Sequence, residues 1–323
     1  MRILVAPDKF KGSLDAPVVA ANIAAGLRDV LPEAQITLLP VADGGEGTAN
    51  AICAAATGEW HTCEVRDANG AIVTARYCTI DRGARAVCEG SEAVGLWRTA
   101  GHARDIDVAS SFGVGEMLAD AAARGVRNII VGLGGSATND GGFGMARALG
   151  FRFFDSAGGE LPNRVSALQR LSRIVAPHSL RLPHITVAAD VRNPLLGARG
   201  ATRVFAKQKG ARDDRLDVFE QALARLAEVV ANDLGVDVRD EIGAGAAGGL
   251  GFGLVSFCGA ELQSGFEVVA EAIGLANAIA AADIVVTGEG CLDAQTLEGK
   301  APAGVARLAR AAGKRVFAIV GSR

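Results

Sequence analysis

Short apolar runs that end in polar, glycine-bearing loops recur along the chain, and most are followed by a stretch with helical spacing. Residues 3–6 lead into Pro7-Asp8-Lys9-Phe10-Lys11-Gly12-Ser13. A helix is then expected with Asp15 as its cap, Pro17 in its first turn and Val19, Ile23, Leu27 and Val30 on one face, stopped by Pro32. Residues 36–41 form the next expected strand, followed by Ala42-Asp43-Gly44-Gly45-Glu46-Gly47-Thr48 and an alanine-rich helix. The pattern returns at residues 129–147. Three β-branched residues suit a strand covered on both faces, and a turn carrying Gly134, Gly135, Gly141 and Gly142 opens a helix.

Elsewhere the spacing predicts strands over 86–88, 151–154, 185–189, 284–287 and 316–320, with a loop over 288–293. Helices are expected over 116–124, 214–234 and 266–282, and from Pro302 to about Gly313. Leu216, Phe219, Leu223, Leu226 and Val230 make the third-to-last of these an amphipathic surface helix. Residues 63–66 and 72–77 flank Asn69-Gly70, a strong hairpin signal, and the change of texture after Gly58 marks a domain boundary. Alternating strands and helices argue for an α/β class with largely parallel sheets.

Composition narrows this picture. A chain of 323 residues favours two domains or one domain carrying an insertion, and its 50% hydrophobic content supports a substantial core. A net charge of -3 with no basic run argues against nucleic acid as a partner. Six cysteines without a C-x-x-C pair, and a start that lacks a signal-peptide core, read as reduced thiols in a cytoplasmic protein. Residues 242–260 carry no charge, but seven of them are glycine, so a glycine-rich turn and buried helix are expected there rather than a membrane span.

Residues just after the apolar runs are the candidates for chemistry, because ligands of open α/β sheets bind beyond the carboxyl ends of the strands. These are Asp8 and Lys11, Asp43 and Glu46, Ser136 to Asp140, Asp190, and Glu289 with Asp293. One such acid is commonly a helix cap; acids at most strand ends are hard to explain by capping alone. Clustered carboxylates call for a cation such as Mg²⁺, and nearby lysines would neutralise a phosphate, which points to phosphoryl transfer. His61, His102, His178 and His184 are scattered and form no transition-metal set. A Walker loop fails because Ala301 follows Gly299-Lys300, and the G-x-G-x-x-G match at Gly243, Gly245 and Gly248 lacks a preceding strand. No Gly-x-Ser-x-Gly elbow supports a hydrolase.

Taken together and in order, several motifs resemble those of the bacterial type-1 glycerate kinases. They are 6–13, 39–48, 134–142, Asp190-Val191-Arg192-Asn193-Pro194-Leu195, Gln208-Lys209-Gly210-Ala211, 243–249, and Gly288-Glu289-Gly290 with Asp293, Gln295, Thr296, Gly299 and Lys300. The resemblance covers essentially the whole chain. It implies ATP-dependent, Mg²⁺-assisted phosphorylation of glycerate, most often D-glycerate to 2-phosphoglycerate. It also implies two α/β domains with the active site in the cleft between them: an outer domain of residues 1–58 plus 285–323, and an inserted domain of 59–284.

On this reading Asp190 is the base or orienting acid toward the substrate hydroxyl, Glu289 and Asp293 hold Mg²⁺, and Lys11, Lys209 or Lys300 meets phosphate. Asp293 and Lys11 join Asp190 as catalytic candidates, and Arg104 is placed toward the glycerate carboxylate. Asp8, Asp43, Gly134, Gly135, Ser136, Thr138, Asn139, Asp140, Asn193, Gly245 and Gly248 are expected to line the nucleotide or substrate. The expected partners are glycerate and ATP, with no nucleic acid and no membrane, and a homodimer is allowed. The family usually has arginine where this chain has Cys291, and its members normally continue beyond Gly321-Ser322. Both departures motivate the alternative of an impaired relative that binds nucleotide or glycerate without turnover.

Overall fold

The computed structural model describes residues 1–99, 105–292 and 300–322. In chain order its elements are β1 (Arg2–Val5), α1 (Ala16–Val30), β2 (Gln35–Leu38), α2 (Thr48–Ala55), β3 (Glu59–Arg66), β4 (Ile72–Ile80), β5 (Arg85–Glu89) and α3 (Gly90–Val94). Next come α4 (Phe112–Ala123), β6 (Asn128–Leu133), α5 (Phe143–Ala148), β7 (Arg152–Asp155), β8 (Leu171–Val175), β9 (His184–Ala189), α6 (Ala201–Phe205) and α7 (Leu216–Leu234). The chain finishes with α8 (Ala246–Cys258), β10 (Glu261–Ser264), α9 (Gly265–Ala272), α10 (Leu275–Ala281), β11 (Ile284–Cys291), α11 (Ala301–Ala311) and β12 (Arg315–Ser322). Contacts divide the chain into one unit of Met1–Gly58 with Gln263–Arg323, and a second of Glu59–Leu262.

The first unit is built on a four-stranded sheet in the order β12-β11-β1-β2, with every pairing parallel. Ile3 and Val5 of β1 are buried with Val286 of β11 and Ala20 of α1, against Ile23 and Leu27. Asp15 takes the N-cap position of α1 without a side-chain bond, and Pro17 sits in the first turn as its fixed φ favours. Strand β2 ends earlier than the apolar run because Pro40 has no donor, although Leu39 and Val41 still bond Val5 and Pro7 of the neighbouring segment.

This unit resumes at Gln263, ahead of the 285 expected from sequence, and the reason is packing. Helix α9 lies against α2, α10 lies against β1, and the Phe266 ring covers Gly304 of α11 so closely that a methyl there would sit 2.3 Å from it. The expected single helix over 266–282 is two helices, broken at the left-handed Gly274. Strand β11 continues through 288–291, where a loop was expected, because Gly288 and Gly321 let β11 and β12 approach: a Cβ on Gly288 would lie 2.1 Å from the Ile319 carbonyl.

The second unit holds a six-stranded sheet in the order β10-β9-β6-β5-β4-β3. The pairs β5–β6 and β6–β9 are parallel, whereas β3–β4 and β4–β5 are antiparallel. The hairpin turn uses the Asp67 carboxylate to hold the amides of Asn69 and Ala71. Residues 151–154 do form a strand, but β7 pairs with β8 in a separate antiparallel ribbon rather than with the main sheet. The core gathers Ile129 and Val131 of β6, Met117 and Leu118 of α4, Phe143, Phe153 and the stripe Phe219, Leu223, Leu226 and Val230 of α7. Helix α7 stops at Gly235, whose left-handed φ of +71° closes it. Among the described residues no helix is long and apolar enough to cross a membrane.

Candidate active site

In the first unit the parallel strands deliver three carboxylates. Asp8 follows β1 and its amide bonds the Gly288 carbonyl, so β11 fixes the backbone that carries it. Its Oδ1 accepts from the Lys9 amide at 2.7 Å. Asp43 lies in the loop after β2 with its Oδ1 taking the Gly45 amide at 3.2 Å, and Glu289 is buried on β11. Burial, the negative charge of Asp43 and that of Glu289 push the Asp8 carboxyl up to about 7, with the Lys9 amide and ammonium opposing. Lys300 makes a 3.9 Å ion pair with Glu289. Lys11 is exposed, and the backbone of Phe10 and Lys11 packs against Gly290. Cys291 closes β11 opposite Ser322 and is exposed.

In the second unit the loop after β6 is held from within. Asp140 is buried, and its Oδ2 accepts from the Ser111 amide and hydroxyl, both at 2.8 Å, and from the Gly144 amide at 3.0 Å. Its Oδ1 accepts from the Gly142 amide at 3.1 Å. Burial pushes this carboxyl up, and those four donors pull it back. Asp140 thus satisfies free amides at the start of α5 and ties them to the start of α4. Ser136, Thr138 and Asn139 are also buried. Asn139 donates to Thr202 Oγ1 at 3.0 Å, while Asn139 Oδ1 and Thr138 Oγ1 are enclosed with no protein partner. Gly134 and Gly135 are the accessible part of the turn.

Motifs far apart in sequence close around this loop. Lys209, 3% exposed, donates to Ser136 Oγ and to the Thr138 carbonyl. Gly248 presses on the same carbonyl, where a Cβ would lie 2.0 Å away, and the Gly141 amide bonds the Gly248 carbonyl at 3.1 Å. The Gly245 amide bonds the Asn193 carbonyl at 2.9 Å, and the Asn193 side chain donates to the Arg199 carbonyl at 2.7 Å. Residues 247–249 form a left-handed turn, φ +53°, +74° and +84°, inside α8. Asp190 is exposed just beyond β9. Arg104 and Asp293 lie outside the described residues.

Thus one unit brings Asp8, Asp43, Glu289 and Lys300 together, and the other brings together 134–142, Asn193, Lys209, Gly245 and Gly248. Sequence reasoning missed Ser111 and Thr202, the polar anchors of the loop. Neither stands in a strand-end loop, and only tertiary contact reveals them. Hard carboxylate oxygens suit Mg²⁺, which needs one or two of them and completes its shell with water and phosphate oxygens. Among the described residues no three His, Cys, Asp or Glu side chains converge tightly enough to enclose a metal by themselves.

Comparison with known proteins agrees with this chemistry. The model of the glycerate kinase family matches residues 3–323. The chain is 43% identical to the glycerate 2-kinase of Escherichia coli (strain K12) over 325 residues, which is all of this chain and 85% of the relative. It is 42% identical to the glycerate kinase of Bacillus subtilis (strain 168), with the same coverage of both chains. A crystal structure from Salmonella typhimurium LT2, of a protein assigned as glycerate kinase 2, matches with a TM-score of 0.91 and 44% identity, covering 100% of this chain and 87% of that one. A family match across the whole chain, joined to strand-end acids of the kind phosphoryl transfer requires, establishes that the chain belongs to the glycerate kinase family of phosphotransferases.

Proposed function

We propose that the protein transfers the γ-phosphoryl group of ATP to the 2-hydroxyl of D-glycerate, giving 2-phosphoglycerate and ADP in the cytoplasm. The observation that carries the reading is the convergence of Asp8, Asp43 and Glu289 at the carboxyl ends of parallel strands, where burial and then the neighbouring carboxylates raise the Asp8 carboxyl to about 7. Such a group of acids is poorly stable as anions alone and gains from a cation. Glu289, with Asp293, would hold Mg²⁺, whose role is to neutralise charge on the polyphosphate.

The protein's own side chains supply positioning and charge. Lys11 and Lys300 meet phosphate oxygens, and Arg104 meets the glycerate carboxylate, for which a planar guanidinium fork is suited. Asp190 orients the 2-hydroxyl and accepts its proton as the oxygen bonds to phosphorus and the bond to ADP breaks. The exposed Gly134-Gly135 turn offers backbone close to the transferred phosphate. Incubation with ATP, Mg²⁺ and D-glycerate, followed by phosphorus NMR of the product, tests the reading directly. A 2-phosphoglycerate resonance that disappears in Asp190→Asn is expected; ADP release without 2-phosphoglycerate would refute it.

A further inference from the structure

Lys209 ends a 3-10 turn, Lys207–Lys209, and its stem runs inward until the ammonium meets the loop after β6. Nζ donates to Ser136 Oγ at 3.0 Å and to the Thr138 carbonyl at 2.7 Å. The charge acting on it is Asp140 from the same loop, and Lys209 also lines a small cavity with Asn69, Thr99, Asp105 and Ala137. Burying an ammonium is costly, and here burial pushes it down to about 7 while Asp140 pulls it up. A methionine would fill the same space without that cost, so packing alone gives no reason for the charge.

What the ammonium does is grip the loop at two points. Gly135, Gly141 and Gly142 all have positive φ, and a backbone so rich in glycine loses much conformational entropy when it is fixed. Asp140 anchors its far end through Ser111, Gly142 and Gly144. The near end, next to the accessible Gly134 and Gly135, is anchored by Lys209, by a hydrogen bond from the Leu96 amide to the Gly135 carbonyl and by one from the Ala137 amide to the Val94 carbonyl. Gly248 lies so close to the Thr138 carbonyl that any side chain there would displace it.

We propose that Lys209 is a positioning residue of the kinase, whose ammonium locks Ser136 and the Thr138 carbonyl so that the Gly134-Gly135 turn presents its backbone to the phosphate-bearing substrate. Lys209 itself touches no substrate. This inference rests on the phosphoryl-transfer reading above and adds a role that the strand-end chemistry alone does not contain.

Lys209→Met, which keeps the stem and removes the donors, tests it by two readouts. Hydrogen exchange of amides 135–144 is expected to quicken at least tenfold, with β5 and β6 unchanged. Steady-state kinetics are expected to show kcat lowered at least tenfold with both KM values within threefold, since positioning acts on the transition state more than on ground-state binding. Ser136→Ala removes one acceptor only and gives the same signature in smaller measure, which covers the case of a misfolded Lys209→Met. Unchanged exchange in the loop of Lys209→Met, or a uniform change over the whole chain in Ser136→Ala, overturns the proposal. So does a loss that falls on KM alone. A wild-type protein without turnover would refute the kinase reading, and the exchange experiment would still decide whether Lys209 holds the loop.

Discussion

Gly265 and Asp43 approach so closely that a methyl group on Gly265 would lie 1.9 Å from the Asp43 carbonyl oxygen. The first residue of α9 therefore sets the position of the loop that carries one of the three gathered carboxylates. Gly265→Ala must move either the helix or the loop. Overpacking of this kind costs about 1–3 kcal/mol. A lowered unfolding midpoint and reduced turnover are expected together. Gly26, in the exposed middle of α1 with open space where a Cβ would stand, is the contrast: Gly26→Ala should gain roughly 0.5–1 kcal/mol and leave turnover unchanged. Equal thermal shifts for the two variants would disprove the contact.

Ala247 holds a left-handed φ of +53° between Ala246 and the left-handed Gly248. An L-residue with a Cβ is strained there by roughly 1–2 kcal/mol, and glycine is not. Ala247→Gly is expected to raise stability by about 0.5–1 kcal/mol after the entropy glycine loses on folding is set against the relief. Ala247→Val should do the opposite and by more. Chemical denaturation of the pair checks both signs.

Asp8 gives a pH dependence whose sign is set. Its carboxyl holds a proton up to about 7 in the folded chain, against about 3.9 for an ordinary aspartate. Between those values the folded state binds the extra proton, so stability falls as pH rises through this window and levels off above 7. Asp8→Asn has no proton to lose. Its unfolding free energy should gain on that of the wild type by about 2–3 kcal/mol between pH 5 and pH 8. Urea melts at both pH values read this directly, and a gap that does not change with pH rejects the burial of Asp8.

Asp140→Asn is expected to be among the most damaging single changes. The wild-type oxygens accept four donors, three at Oδ2 and one at Oδ1. Whichever way the amide is turned, its NH2 faces at least one donor that has lost its acceptor. Leaving a buried group unsatisfied costs about 1–3 kcal/mol, and a lost charged acceptor adds to this. A drop in midpoint at neutral pH, with α4 and α5 losing exchange protection together, is the expected pattern. Loss confined to α5 would argue against the tie through Ser111.

Periodicity was enough to place most elements, because burial imposes it directly. The apolar runs at 129–131, 185–189 and 284–287 read as strands and form them, and the stripe of α7 had one face to hide. Strand-end position likewise singled out Asp8, Asp43 and Glu289, since parallel strands point their carboxyl ends the same way.

What sequence could not decide depends on contacts between distant residues. Glycine at 274 is tolerated in a helix or breaks it, and only the packing of α9 and α10 in the first unit chose the break. Gly288 was compatible with a loop, and the approach of Ile319 made it strand. The loop at 129–147 shows the same division most sharply. Its glycines and polar residues announced a special turn, but not the partners that Asp140 and Lys209 find within it. Both side chains are buried and hydrogen-bonded there, because a buried polar group is stable only where folded partners meet it, and those partners, Ser111, Ser136 and the Thr138 carbonyl, are brought to it by the fold.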